Sequence, residues 1–155
     1  MKKSISRAIE RALEADRIHY WKEGDGFLFL NTTEKEADYL IKILPDEEME
    51  LLFVIGFFPV KAPKLSMDRM YKVINDINHR RYICELVMNP EDGQITYRSV
   101  NHVDQGAINK EIVHMAAAHV VEHLILCYDE LMQAMYSSSN TSYAISFDDE
   151  KRPCA

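Results

Sequence analysis

Residues 49–60, "MELLFVIGFFPV", predict a β-strand, because aromatic and β-branched residues fill a run that ends at Pro59. Residues 37–44, "ADYLIKIL", form a second run of this kind immediately before it. Only the polar residues 45–48, "PDEE", separate the two runs. Two strand-forming runs across a short polar turn predict a β-hairpin, so the chain is built around an antiparallel sheet.

Both faces of the strand within residues 49–58 are apolar. One face carries Met49, Leu51, Phe53, Ile55 and Phe57, and the other carries Leu52, Val54 and Phe58. A sheet with helices on one face only would leave one set in water. Two interpretations stay open: the protein covers both faces itself, or a second subunit or partner covers the second face. The second interpretation predicts an interface at Leu52, Val54 and Phe58.

The remaining segments predict an α+β domain. Residues 4–16, 66–81 and 107–136 have helical apolar spacing, and Ser4 is a predicted N-cap. Strands are expected in 19–32, 82–88 and 94–100. The order is α-β-β-β-α-β-β-α, with a largely antiparallel sheet of about five strands. We expect one domain over residues 1–136 and a flexible tail over residues 137–155.

Composition excludes several classes of protein. The chain has 155 residues and a formal net charge of −7, which disfavours non-specific binding to nucleic acid or anionic lipid. No apolar run is long enough to span a bilayer, and the start of the chain is not a signal peptide. Three cysteines without a C-x-x-C pair indicate a reduced protein. We therefore predict a cytoplasmic protein with neither nucleic-acid nor membrane partners.

The stretch His119, Glu122 and His123 fits an H-x-x-E-H pattern, in which two histidines hold zinc and the glutamate polarises water. Helix geometry favours a structural interpretation, because Glu122 points away from the histidines and no distant third ligand follows. We therefore predict no catalytic residue, no metal and no cofactor. The histidines border a second apolar strip, which predicts a partner or dimer interface at Ile112, Met115, His119, His123 and Leu126. A small metal-dependent hydrolase using residues 119–123 is the alternative.

Residues 57–100 resemble the bacterial YbjN-type domain, which shares the fold of type III secretion chaperones. An apolar strand ends in a proline-containing segment, a helix ends in "INDIN" with Asn75 and Asn78, and a hairpin is closed by Asp92-Gly93 before a long helix. The resemblance spans about residues 20–136 and not the last 19 residues. It implies a small cytosolic, non-enzymatic, regulatory and often dimeric domain. The related chaperones bind extended segments of client proteins.

The first functional hypothesis is an interaction module. It predicts a homodimer that binds a protein or peptide segment on an apolar sheet face or by strand addition at a sheet edge. A further hypothesis concerns the C-terminal segment 142–150, "SYAISFDDE", in which Tyr143, Ile145 and Phe147 alternate as in a strand. This segment is predicted to dock on the protein's own or a neighbour's sheet as a regulatory strand.

Overall fold

In the computed structural model, the chain folds into an antiparallel sheet with three helices. The structure describes residues 4–32, 37–81, 85–104 and 106–137. The helices are α1 (Ile5–Ala15), α2 (Met67–Arg80) and α3 (Lys110–Tyr136), and a single 3-10 turn, Lys64–Ser66, precedes α2. The strands are β1 (Tyr20–Glu23), β2 (Gly26–Thr32), β3 (Asp38–Asp46), β4 (Leu51–Phe57), β5 (Glu85–Met88) and β6 (Ile95–His102).

All neighbouring strands are antiparallel, in the order β1-β2-β3-β4-β6-β5. The predicted α+β class and the antiparallel sheet are confirmed. The strand number is corrected, because the described sheet has six strands and not about five. The segment predicted as one strand within 19–32 folds into a hairpin, since Gly24 adopts φ +59° and reverses the chain between β1 and β2.

Helices cover one face of the sheet, which is called the covered face. Its side chains alternate along each strand and are mostly buried: Phe27, Phe29, Tyr39, Ile41, Ile43, Leu52, Val54, Leu86, Met88, Ile95, Tyr97 and Ser99. Helix α1 packs against β3 and α3, and α3 packs on β3, β4 and β6. Helix α2 lies against β5 and α3. The single hydrophobic core therefore lies between the helices and this face.

Helix α3 approaches the sheet most closely at Gly56. A Cβ built on Gly56 would lie 2.4 Å from Leu124 Cδ1 and 2.6 Å from Val120 Cγ1. Any larger residue would push α3 away, because both contacts are to buried side chains of the core. Gly56 therefore fixes the distance between the long helix and the centre of the sheet.

The N-terminus of α1 is capped from the β3–β4 turn. Ser4 is the N-cap residue of α1, as predicted, but its side chain makes no capping bond to the helix. Instead, Glu47 accepts hydrogen bonds from the backbone N–H of Ile5 (3.0 Å) and Ser6 (2.9 Å) and from the Ser4 hydroxyl (2.6 Å). Burial alone would raise the pKa of Glu47, but these bonds outweigh it and lower the pKa. The carboxylate thus ties α1 to the hairpin.

The predicted C-terminal tail, 137–155, lies outside the described residues except for Ser137, which follows the end of α3. Both the division into a domain over 1–136 and the flexibility of the tail stay predictions.

Candidate interaction surface

The second face of the sheet is the candidate site, because no described helix packs on it. It is called the open face. The strand registers place side chains of adjacent strands in rows across it. At the start of β3 the pair Thr32 and Asp38 lies on this face. The next row contains Leu30, Leu40, Phe57, Thr96 and Val87, and the middle row contains Trp21, Leu28, Lys42, Ile55, Arg98 and Glu85. A third row contains Leu44, Phe53 and Val100, and a fourth contains Asp46, Leu51 and His102.

Large apolar side chains dominate the open face. Leu30 is 56% exposed, Val100 is 57% exposed and Trp21 is 46% exposed. At the centre of the face, Phe53 and Ile55 are half-buried, and two other residues of the same face, Leu28 and Thr96, are buried. Contiguous apolar surface of this kind is uncommon on monomers and marks interaction sites.

Two cations interrupt the apolar surface at its centre. Lys42 and Arg98 flank Ile55 in the middle row. Neither forms a salt bridge with any residue in the part of the chain that the structure describes. Arg98 Nε donates a hydrogen bond to the hydroxyl of Thr96 (3.2 Å), which holds the guanidinium against the sheet. The registers also place carboxylates on this face, at Glu23, Asp38, Asp46 and Glu85, and Glu85 lies directly across from Arg98. The open face therefore combines apolar surface with charges of both signs, and Lys42 is the cation whose cross-strand neighbours are apolar.

The predicted strand residues of the interface lie on the other side of the sheet. Leu52 and Val54 are fully buried and Phe58 is 2% exposed, all beneath the helices. The prediction for these three residues is wrong, because the helices cover their face of the sheet. The residues of β4 on the face without helices are Phe53, Ile55 and Phe57. A period of two showed that two apolar faces exist, but it could not show which one the helices cover.

The two edges of the sheet differ in their capacity to accept another strand. At the β5 edge, Asn78 donates its side-chain N–H to the Leu86 carbonyl (2.9 Å) and accepts from the Leu86 N–H (2.8 Å). Helix α2 thus occupies the outward-facing backbone groups of β5, as proteins do to block edge pairing. Strand β1 forms the opposite edge and pairs only with β2 among the described strands. The sequence motif "INDIN" contains Asn78, but its residue pattern does not predict this role.

The predicted strip on α3, called the α3 flank, consists of Ile112, Met115, His119, His123 and Leu126. Met115 is 70% exposed and Leu126 is 64% exposed, while the other three residues are half-buried. His123 stacks on Tyr97 with ring centroids 5.3 Å apart. On the α3 flank, Met115 and Leu126 therefore face outward, Ile112 packs partly against the core, and His123 lies against Tyr97 of β6.

The H-x-x-E-H stretch does not form a metal site among the described residues. The His119 and His123 rings lie 4.2 Å apart, but His123 Nδ1 is hydrogen-bonded to the His119 carbonyl (2.8 Å). Glu122 is exposed on the far side of the helix. No group of three or more His, Cys, Asp or Glu within the described part of the chain could hold a metal ion. Burial and the neighbouring His123 lower the pKa of His119, which favours the neutral ring.

Basic residues of the segment 61–81 are engaged in structural contacts. Arg69 donates to the Ala134 and Met135 carbonyls in the last turn of α3, where a helix dipole favours positive charge. Lys61 pairs with Asp92 (3.0 Å), and Arg80 pairs with Glu130. These contacts join α2 and the strand loops to the rest of the fold.

The element order α-β-β-β-β-α-β-β-α and the open antiparallel sheet with helices on one face define an α+β domain. The sequence profile of the YbjN family, described as "Putative bacterial sensory transduction regulator", matches residues 6–132. The chain belongs to this family. The predicted resemblance is confirmed.

Two solved structures share the fold. "Crystal structure of YbjN, a putative transcription regulator from E. coli" has 10% sequence identity and a TM-score of 0.59, over 83% of this chain and 96% of that chain. The ExsC chain of "Crystal Structure of the ExsC-ExsE Complex" has 10% identity and a TM-score of 0.54, over 86% of this chain and 96% of that chain. Neither the family description nor these two names specifies an enzyme.

No curated protein sequence matches the chain. Within the described ranges, none of the helices has the length and apolar character that crossing a membrane requires.

Proposed function

We propose that this protein is a non-enzymatic interaction module that binds an extended, apolar and acidic segment of a partner protein on its open face. The family is one of regulators, and the fold is shared with ExsC, which forms a complex with ExsE. The observation that carries the proposal is the uncovered apolar sheet face with Lys42 and Arg98 at its centre. A segment with alternating apolar side chains would bury them on this surface and place a carboxylate beside Lys42, whose cross-strand neighbours Leu28 and Ile55 are apolar, whereas Arg98 already lies opposite Glu85.

The face is a better candidate than an edge for binding. The β5 edge is occupied by Asn78, so strand addition there would first have to displace two hydrogen bonds. The β1 edge is only four residues long, from Tyr20 to Glu23. Main-chain pairing at β1 could extend a segment bound on the face, but it offers little apolar area of its own.

A titration with synthetic peptides tests the proposal. Ten-residue peptides that alternate apolar residues and end in three carboxylates should bind the full chain, and scrambled peptides of the same composition should bind weakly. Ile55→Glu should weaken binding by about 2 kcal/mol, or roughly thirtyfold, because it places a charge in the centre of the surface. Leu65→Glu is the matched control, since Leu65 is fully exposed on the 3-10 turn. Equal binding by both variants would refute the assignment to the open face.

A homodimer through the α3 flank is a second part of the proposal. The exposed side chains of Met115 and Leu126 support it, because a two-fold axis beside α3 would bury both. Light scattering during size-exclusion chromatography should give twice the mass of the 18.0 kDa chain. Met115→Glu combined with Leu126→Glu should return the monomer, while Ile55→Glu should not. A monomeric wild-type chain at high concentration would exclude the dimer.

A cytoplasmic location is also proposed, and the buried free thiol of Cys127 in the core supports a reducing compartment. The alternative function, a metal-dependent hydrolase using His119, Glu122 and His123, has no supporting observation in the described residues.

A further inference from the structure

We propose that a cavity above the end of β2, on the helical side of the sheet, binds a small aromatic molecule that carries one uncharged hydroxyl group. The cavity lies between α1, α3 and the covered face and has a volume of about 230 Å³. This inference goes beyond the proposed function, because the open face is on the other side of the sheet. The cavity is called the β2 cavity, and its lining includes Leu13, Phe29, Asn31, Ile43, Val113 and Val121.

The β2 cavity exists because the helices pack over the middle of the sheet and not over β2. Helix α1 packs against β3 and α3, and α3 packs on β3, β4 and β6. Strand β1 begins at Tyr20, opposite Phe29, so residues 30–32 of β2 extend past it at this edge of the sheet. Both helices line the cavity with alanines, Ala12, Ala117 and Ala118, whose side chains are too small to fill it.

The inside of the cavity is apolar and fits one aromatic ring. Phe29 and Ile43 form the floor, and both are buried, as are Leu13, Val113 and Val121 in the walls. An apolar protein cavity of about 150 Å³ is large enough to hold benzene. A volume of about 230 Å³ therefore accommodates a ring with one or two small substituents, or roughly eight to ten non-hydrogen atoms.

Asn31 provides the first polar group of the cavity. It lies on the covered face, opposite Tyr39 of β3, and its neighbours on the same face of β2 are Phe27 and Phe29. Its side chain is half-buried and makes no hydrogen bond to another residue in the described ranges. A carboxamide has two donor hydrogens and an acceptor oxygen. Asn31 can therefore hydrogen-bond a polar group of a ligand whose apolar part fills the cavity.

Asp16 provides the second polar group, at the exposed mouth of the cavity. Its Oδ2 lies 3.2 Å from Nδ1 of His114, and its Oδ1 lies 3.7 Å from Nζ of Lys110. A carboxylate accepts about four hydrogen bonds, so Asp16 can accept another one from a ligand. Lys110 already balances its charge, and a charged ligand group would disturb that balance. A hydroxyl group is uncharged, donates to a carboxylate and accepts from a carboxamide, so it suits both Asp16 and Asn31.

A titration of the full chain with three small probes tests the chemistry of the ligand. The probes are 4-methylphenol, p-xylene and 4-methylbenzoate, and ¹H–¹⁵N NMR follows binding. 4-Methylphenol should bind with a dissociation constant on the order of 0.1 mM, with the largest amide shifts at Ala12, Asn31 and Ala117. 4-Methylbenzoate should bind at least tenfold more weakly, because the mouth does not balance its charge. Absence of saturable binding by 4-methylphenol, or equal binding of the anion, would overturn the proposal.

The variant Asn31→Leu tests recognition of the hydroxyl group. It removes the carboxamide and keeps a side chain of similar size on the strand. The ratio of the affinities for 4-methylphenol and p-xylene should fall about fivefold, because only 4-methylphenol loses a hydrogen bond. A ratio equal to that of the wild-type chain would overturn the assignment of the hydroxyl group to this site.

The variant Ala118→Leu tests the location of the site. The larger side chain fills part of the cavity, so both 4-methylphenol and p-xylene should bind more than tenfold more weakly, without a fall in the thermal unfolding midpoint. Ala15→Leu is the matched control, since Ala15 is exposed on α1 and lies outside the cavity lining. Undiminished binding by Ala118→Leu would overturn the location. If Ala118→Leu does not fold, Asn31→Leu decides independently.

The inference and the proposed function fail separately. Ile55→Glu should leave the affinity for 4-methylphenol unchanged, and saturating 4-methylphenol should leave the binding of alternating acidic peptides unchanged. If those peptides displace 4-methylphenol, the cavity is part of the peptide site and the inference is wrong. If 4-methylphenol binds as described and the peptides do not bind, the proposed function is wrong and the inference stands.

Discussion

The covered and open faces of the sheet carry the same kinds of residues but play different roles. On β4, Leu52 and Val54 are fully buried by the helices, while Phe53 and Ile55 alternate with them on a face that no described helix covers. Burial of the apolar residues on the covered face stabilises the fold. Apolar residues on the open face are mostly half-buried, so they contribute less to folding and leave surface for association. The comparison teaches that in this sheet apolar character alone does not separate core from binding surface.

The sharpest way to break this comparison is to place a charge on each face of β4. Val54→Asp should cost more than about 4 kcal/mol and prevent folding, because a carboxylate would be buried without a partner beneath the helices. Phe53→Asp should cost only about 1 kcal/mol, because its side chain stays in contact with water. Urea unfolding followed by circular dichroism measures both. Similar losses for the two variants would mean that the open face is part of the core.

Two glycines provide a finer test of the same difference. Gly56→Ala should destabilise the fold by about 1–3 kcal/mol, because its Cβ would lie 2.4 Å from Leu124 in the packed layer. Gly26→Ala should change the free energy of unfolding by no more than about 0.5 kcal/mol. The atom nearest to a Cβ built on Gly26 is Lys42 Cε, at 2.7 Å, and this atom lies near the end of a flexible side chain that can move aside. Thermal unfolding midpoints compare the two. A neutral Gly56→Ala would show that α3 can move away from the sheet at no cost.

The edges of the sheet allow a comparison of the two asparagines in "INDIN". Asn78→Ala should cost about 1–2 kcal/mol, because the N–H and carbonyl of Leu86 lose their partner. Asn75→Ala is the control, since Asn75 is exposed on α2. Asn78→Ala should also raise hydrogen exchange at Leu86 and promote self-association through the unprotected β5 edge. Loss of stability in both variants alike would indicate an effect on α2 alone.

The smallest effect concerns the histidines between α3 and the sheet. Burial lowers the pKa of His119 below the 6.5 of a free side chain, with a further lowering by His123 and an opposing effect of Glu122. Below pH 6.5 the unfolded chain therefore binds more protons than the folded chain, so acid favours unfolding. The contribution of His119 to the free energy of unfolding should be constant above pH 6.5 and fall by less than about 1 kcal/mol below it. His119→Gln should reduce this slope, and Glu122→Gln should not abolish it.

Sequence patterns predicted the α+β fold, its antiparallel sheet and the family. Spacing located the three helices closely, since apolar residues recur with the helical period in each. The hairpin of β1 and β2 was not predicted, because the residues Gly24-Asp25-Gly26 were interpreted as a break within one strand. The structure shows that Gly24 has a positive φ and reverses the chain there. The interface was assigned to the wrong face of β4, because apolar residues alternate on both faces of this strand. Only the tertiary packing of α3 determines which face is covered. Asn78 could have been found only from the pairing of α2 with β5.

A photo-cross-linking amino acid at position 53 tests the central claim most directly. The experiment uses the chain with this single substitution, expressed in the cells of origin. The prediction is a discrete covalent adduct with another polypeptide from position 53, lost on adding Ile55→Glu, and no adduct from position 122 on the outer side of α3. An adduct from position 122 with none from position 53 would contradict a binding site on the open face.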